Sequence, residues 1–348
     1  MGIREAQQFI RLVRDHPEES VFAGGCSEAD VTEAEQRLGV AFPESYKLFL
    51  RELGDCDVAG DEFYGIVRRD GQLLGVVMET LALRESADLP SPLVAFRPDG
   101  MGGYFVLDTS RVNPDGEAPV YAWGSGTNSP TELDHIGTDF GTVALDLARR
   151  GLRDAELANA LAEAGLLYLG LVDVSVPLMP PCLAFSADSV ETGGQEWVVS
   201  VESDEPDLPE RVNHGWYLLS ADQGLFPRDA PEFLIAVGGR EAVPAEPLRW
   251  ARVALTGRSD IAGAGAEARV TGCGAGHVDF AMLSLDGTVV VRGVEGEEWT
   301  DCVLLKDPHR LPAMRELGTR MASSPETPQE TREALKRWLK RQRNSESP

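Results

Sequence analysis

Between Ser27 and Gly54 the apolar positions recur with helical period twice, and each run is closed by a stop signal. Val31, Ala34 and Leu38 fall on one stripe. Ser27, with Asp30 three residues on, supplies an N-cap and an acidic first turn, and Gly39 supplies a left-handed stop. Pro43 then takes the first helical position, where its missing N–H costs nothing, and Tyr46, Phe49, Leu50 and Leu53 recur at i, i+3, i+4 and i+7 until Gly54. Helices this short do not hold alone in water, so both stripes must be buried against a sheet drawn from the residues that follow. Ile3, Phe9, Ile10 and Val13 predict a leading helix over 3–14, ended by Pro17.

After Gly54 the pattern shortens. An acidic loop holds Asp55, Asp57, Asp61 and Glu62, and strand-like runs at Tyr64–Val67 and Leu73–Met78 meet at the hairpin signal Asp70-Gly71. Strands over Leu93–Phe96 and Tyr104–Leu107 hinge on the Gly-rich turn Asp99–Gly103, and another strand runs from Val120 to Trp123 before the turn Gly124-Ser125-Gly126. A helix with Phe140, Val143, Ala144 and Leu147 facing inward closes the segment. Residues 1–150 are therefore expected to form an α+β domain, with helices packed on a mostly antiparallel sheet.

Residues 151–164 are Ala-rich and predict a helical connector. From Leu166 to Leu305 short apolar runs dominate: LLYLGLVDVSV, CLAF, EWVVSVE, GWYLLS, EFLIAVGG, LRWARVAL, VDFAMLSL, TVVVRGV and DCVLL. Turn signals at Pro180-Pro181, Gly193-Gly194, Asp222-Gln223-Gly224, Gly238-Gly239 and Asp286-Gly287 separate many of them, which argues a mainly-β second domain over 165–322, an antiparallel sheet or sandwich. A helix over Leu311–Met321 breaks at Ser323-Ser324-Pro325, and 323–348 forms a basic helical tail that restarts at the capping box Thr327-Pro328-Gln329-Glu330. Its thin stripe of Leu335, Trp338 and Leu339 is flanked by Lys336, Arg337, Lys340, Arg341 and Arg343, which complement the helix dipole.

Composition adds one strong feature. The 348 residues suit two ordinary globular domains, with 43% hydrophobic and 26% charged residues. Lys+Arg 32 against Asp+Glu 57 gives a net charge of −25, and both domains share it. Direct nucleic-acid binding by either acidic domain is therefore disfavoured, whereas a basic protein partner would be attracted. The N-terminus carries no apolar signal core and no run of about 18 apolar residues occurs, so a cytoplasmic location without membrane insertion is expected. Five cysteines, an odd number with no C-x-x-C pair, read as reduced thiols.

A search for catalytic chemistry yields none, and no cofactor or metal is expected. The five histidines form no H-E-x-x-H or H-x-H pattern, and the one spacing that pairs a cysteine with a histidine, Cys273-x3-His277, lies in a Gly-rich turn. Gly124-Ser125-Gly126 lacks the strand-to-helix elbow of a nucleophile, and Gly272-x-Gly274-x-Gly276 lacks dinucleotide-site spacing. Asp55-x-Asp57 with Gly60 is no calcium loop, because Ile66 stands where the bidentate Glu belongs.

One set of residues carries a family resemblance. Val31-x3-Glu35-x2-Leu38-Gly39-x2-Phe42-Pro43-x2-Tyr46-x2-Phe49-Leu50, then Phe63-Tyr64-Gly65-Ile66, the turn Gly102-Gly103-Tyr104-Phe105 with Asp108 behind it, the strand Pro119-Val120-Tyr121-x-Trp123 and a closing helix with Phe140 together resemble the SUKH superfamily (Smi/Knr type) over residues ~25–150. Leu53-Gly54-Asp55 keeps the family's glycine after the second helix but not its usual Asn. The resemblance implies an α+β domain and, for a bacterial protein, a non-enzymatic immunity protein, an antitoxin that binds and occludes a basic toxin, often a nuclease. The fungal relatives imply the alternative of a regulatory or scaffolding protein that bridges partners. A third possibility is a hydrolase-like domain within 166–310, which would need convergent His, Asp or Glu side chains in a concave pocket.

Leu38, Gly39, Phe42, Pro43, Tyr46, Phe49, Leu50, Gly65, Gly102, Gly103 and Asp108 are expected to fix the fold. Partner binding is expected at residues the core does not need: Asp55, Asp57, Asp61 and Glu62, with Tyr64, Tyr104 and Trp123 as aromatic anchors.

Overall fold

The computed structural model describes residues 2–124, 133–238, 247–257 and 259–341. Ser125, Gly126, Gly239 and Arg343, named above, lie outside the described residues, as does the side chain of Arg341. The chain divides into two compact units, Met1–Ala155 and Glu156–Pro348.

The first unit opens with α1 (Gly2–Asp15), β1 (Ser20–Phe22), α2 (Glu28–Leu38) and α3 (Glu44–Glu52). Ser27 Oγ accepts from Asp30 N–H at 3.2 Å while the Asp30 carboxylate accepts from Ser27 N–H at 3.1 Å, a reciprocal capping box, and Gly39 ends α2 at φ 68°. Pro43 is the N-cap of α3, one position earlier than expected, with Glu44 at the first helical position. The segment expected as an acidic loop is instead two short strands, β2 (Cys56–Val58) and β3 (Asp61–Phe63), which pair antiparallel with each other; β1 pairs with β2.

Next come β4 (Ile66–Arg69) and β5 (Gln72–Gly75), joined through Asp70 and Gly71 at φ 50° and 77°, the left-handed pair of a type I′ hairpin turn. The strand expected to run to Met78 stops at Gly75, and Val76–Met78 form the first turn of α4 (Val76–Ser86). Gly75 at φ 72° turns the backbone out of the extended region, and Val76, Val77 and Thr80 are buried on one helical face. A four-stranded antiparallel sheet follows in the order β6 (Leu93–Pro98), β7 (Tyr104–Asp108), β8 (Val120–Trp123), β9 (Asp134–Gly137). Helix α5 (Phe140–Glu163) makes one element of the predicted closing helix and the predicted connector. The core centres on aromatics packed edge-on or tilted: Phe140 lies 4.9 Å from Tyr46, 5.2 Å from Phe49 and 5.3 Å from Phe96 between ring centroids, and Phe9 lies 5.0 Å from Phe63.

The second unit contains β10 (Leu166–Leu171), α6 (Pro181–Ala184), β11 (Glu196–Glu202), α7 (Leu208–Gln223), β12 (Glu232–Val237), β13 (Arg249–Leu255), α8 (Ala264–Glu267), β14 (Gly272–Gly274), β15 (His277–Leu283), β16 (Val289–Glu295), β17 (Trp299–Lys306), α9 (Pro312–Ser323) and α10 (Gln329–Arg341). The expected antiparallel sheet is there, in the order β10-β13-β12-β15-β16-β17-β11, with β14 paired to β15. Two apolar runs grouped with the strands are helical. CLAF belongs to α6, started by Pro181, and GWYLLS belongs to α7, where Val212, Trp216, Leu219 and Ser220 are buried at helical spacing and Gly224 caps the end at φ 90°.

Both faces of this sheet are covered. Phe233, Ile235, Phe280, Met282 and Val291 join Trp216 and Phe226 in one core, while Leu234, Ala236, Ala281, Leu283 and Val290 join Leu183, Met314, Leu335 and Trp338 in another. Successive strand residues point to opposite faces, so strands buried on both sides carry uninterrupted apolar runs. No described helix is long and apolar enough to cross a membrane.

Candidate functional site

Three glycines build the platform for the acidic and aromatic residues of the first unit. Ile66 N–H donates to Gly54 O at 2.7 Å, and Val76 N–H donates to Gly65 O at 2.8 Å. A Cβ on Gly65 would lie 1.4 Å from Gly54 O, and one on Gly75 would lie 2.4 Å from Gly65 O, so the backbones touch. Asp55 braces this stack by accepting from Gly65 N–H at 2.8 Å. Burial pushes its carboxyl above the ordinary 3.8, the Gly65 hydrogen bond opposes the shift, and the charge of Asp57 adds to it.

The four acids expected to act together have separate tasks. Asp55 is half-buried in the glycine stack, and Asp57 accepts from Gly60 N–H at 2.9 Å to hold the β2–β3 turn. Asp61 pairs with Arg97, whose guanidinium lies 5.6 Å from the Phe63 ring centroid and 5.5 Å from that of Phe105. Glu62 is exposed, and its carboxyl is raised by desolvation first and then by the charges of Asp55, Asp57 and Glu79.

Tyr64 links this acidic edge to the four-stranded sheet. Its N–H donates to Phe96 O at 2.7 Å, and its carbonyl accepts from the hydroxyl of the fully buried Tyr46 at 2.6 Å. The Tyr64 phenol is pushed up to about 12 by burial and by Glu62, Glu79, Tyr104 and Asp55 around it. In the sheet register Pro98, Tyr104 and Trp123 stand side by side on β6, β7 and β8. Tyr104, Tyr121, Trp123, Leu83 and Leu133 pack, half-buried, on a small cluster of Leu89, Leu93, Ala95 and Val106, separate from the main core. Glu62, Tyr64 and Tyr104 thus lie together, with Trp123 continuing the row.

The residues expected to fix the fold are placed accordingly. Leu38, Phe42, Tyr46, Phe49 and Leu50 are buried. Gly102 has φ 93°, and a Cβ on Gly103 would meet Asp99 Oδ2 at 2.5 Å and Trp123 O at 2.8 Å, so Gly103 sets how closely the β7 turn approaches Trp123. Asp108 is buried, accepts from Ser110 Oγ at 2.6 Å and pairs with Arg111 at 3.2 Å.

Glu79 and Tyr121 are not among the site residues expected from the sequence, where Tyr121 enters only through the motif strand. Tyr121 lies edge-on to His135 at 5.4 Å, and Glu79 is hidden in the sequence because the apolar run at the start of α4 also fits a strand. The signal for α4 was the spacing of Val76, Val77 and Thr80 after a glycine.

Elsewhere, Cys273 is exposed and His277 Nδ1 lies 2.7 Å from Glu295 Oε1, which gives that histidine a carboxylate partner. All five cysteines are free thiols. Among the described residues no group of three or more His, Cys, Asp or Glu could hold a metal ion.

The raised carboxyl of Asp55 has a measurable consequence. The folded form holds this proton more tightly than the unfolded form, so the contribution to stability is full below about pH 3.8 and is lost as pH rises through the raised folded value. Asp55→Asn keeps an acceptor for Gly65 N–H and removes the charge. Denaturant unfolding should show the variant gaining stability over the wild type at about pH 7 but not at about pH 3.5; a gain of the same size at both would contradict the assignment.

Residues 28–140 match the family SUKH_6, described as SMI1-KNR4 cell-wall. The matched segment opens at the first residue of α2, closes at the first residue of α5 and contains every residue of the acidic and aromatic face. The first unit therefore carries a SUKH domain, as the motif string implied. A search of curated proteins finds no match to the chain.

Proposed function

We propose that the protein is an immunity protein of a bacterial polymorphic toxin system, which neutralises a basic toxin by binding and occluding it. The observation that carries this reading is the gathering of Glu62, Glu79, Tyr104 and Asp55 around Tyr64 within the SUKH segment. The Glu62 carboxyl is raised by desolvation first and then by the charges of Asp55, Asp57 and Glu79, so a cationic partner laid across this edge would relieve repulsion already present in the free protein. Half-buried tyrosine and tryptophan side chains beside them would supply the apolar anchors that dominate interface energetics. The net charge of −25 adds long-range attraction for a basic groove, such as that of a nuclease. On this reading no catalysis is needed and the protein acts in the cytoplasm by steric occlusion; the second unit serves as a scaffold or a further binding module.

The test is co-expression with the toxin encoded beside the gene. Growth should be rescued, and the purified pair should form a complex at low salt. Continued killing together with no complex at low salt would overturn the proposal.

A further inference from the structure

We propose that a cavity of about 570 Å3 in the second unit binds a small amphiphile, an apolar chain ending in one carboxylate. The cavity lies between the segment after β10, the start of β13 and the α9–α10 turn, and its size is that of a small-molecule site. This inference is independent of the toxin reading.

The walls are mainly apolar, with Val176, Leu178, Leu248, Met321 and Ala334 among them. Trp250 also lines the space, but its indole N–H is spent on Met179 O at 2.6 Å, so it offers the cavity ring surface and no donor. Such walls exclude a bare inorganic anion, which would leave them without a partner.

One end is cationic. Asp173, a lining residue, takes hydrogen bonds from Ser175 and also feels the charges of Arg249 and Arg337. Arg249 lines the cavity, and Arg337 stands behind the wall, donating to the carbonyl of Val174 at 2.8 Å. Two guanidiniums thus face one carboxylate, and the Nε of each is buried with no acceptor. Both Nε atoms are enclosed by protein, so the cavity is met only through the remainder of the lining residue Arg249, and a guanidinium favours a carboxylate above a neutral acceptor. The remaining charged lining groups are Arg320, Glu326 and Glu330, and Glu330 is two helical turns before Arg337, roughly 10 Å along α10. With two guanidiniums to one carboxylate at this end, a ligand carboxylate would balance the excess positive charge, a neutral apolar molecule would not, and a cation would add to it.

The probe is sodium decanoate, titrated into the full chain and compared with decanol, which has the same chain length and no charge. Decanoate should bind about tenfold or more tightly than decanol, and Arg249→Gln should erase that difference. Ala334→Trp, which fills the cavity, should abolish binding of both. A readout on the wild type needs no variant: Cys182 lines the cavity as a half-buried free thiol, so decanoate should slow its alkylation and leave that of the exposed Cys273 unchanged. Absence of decanoate binding, equal affinity for decanol, or unchanged Cys182 alkylation in the presence of decanoate would each overturn the proposal.

Discussion

Replacing Gly65 with alanine is expected to unfold the first unit. The added Cβ would stand 1.4 Å from Gly54 O, 2.4 Å from Gly54 C and 2.9 Å from Asp55 N, all backbone atoms, so no side chain can swing aside. Relief requires moving the chain, which breaks the Ile66–Gly54 and Val76–Gly65 hydrogen bonds and pulls Gly65 N–H from Asp55. A loss of about 4 kcal/mol or more is expected, a large part of the roughly 5–15 kcal/mol that holds a domain folded. Gly60→Ala is the control: its φ is 86° but nothing lies within 4 Å of the new Cβ, so only backbone strain of about 1 kcal/mol is at stake. Denaturant unfolding compares the two, and losses of equal size would show that the glycine stack is not a close contact.

The second large effect concerns partner capture. Glu62→Lys with Glu79→Lys exchanges two negative charges for two positive ones on the edge beside Tyr64. At low ionic strength the association rate with the proposed basic toxin should fall by about tenfold or more, and the difference should shrink in salt as the Debye length contracts to about 8 Å. Folding should not suffer. The Glu62 carboxyl is raised by desolvation first and then by repulsion from Asp55, Asp57 and Glu79, and the exchange removes that repulsion. Stopped-flow mixing measures the rate, and an unchanged association rate at low salt would remove the acidic edge from the encounter.

Much of the first unit was legible because its signals are local. Caps, glycine stops and the stripes of α2 and α3 each depend on residues within a few positions, and each agreed with its neighbours. The strands β2 and β3 were not legible: each has only three residues, and their acidic character suited a loop equally well. Helices α4 and α7 were missed for a related reason, since short apolar runs at Val76–Met78 and Gly215–Ser220 fit a buried strand until their full spacing is counted.

The candidate site divides in the same way. Glu62, Tyr64, Tyr104 and Trp123 could be named from the sequence as polar or aromatic residues the core does not use. That Asp61 is neutralised by Arg97 and Asp55 is spent on Gly65, while Glu79 joins the edge from α4, depends on long-range pairing that no local pattern encodes. The cavity of the second unit is drawn from stretches near residues 172–182, 247–250 and 320–334, so no single segment could announce it.

The central claim is that the acidic and aromatic face of the SUKH domain receives the partner. Hydrogen–deuterium exchange on the purified protein, alone and with the proposed toxin partner, tests it most directly. Binding should slow exchange over residues 55–66 and around Tyr104 and Trp123. Protection confined to residues 156–341, with the 55–66 segment exchanging as in the free protein, would contradict it.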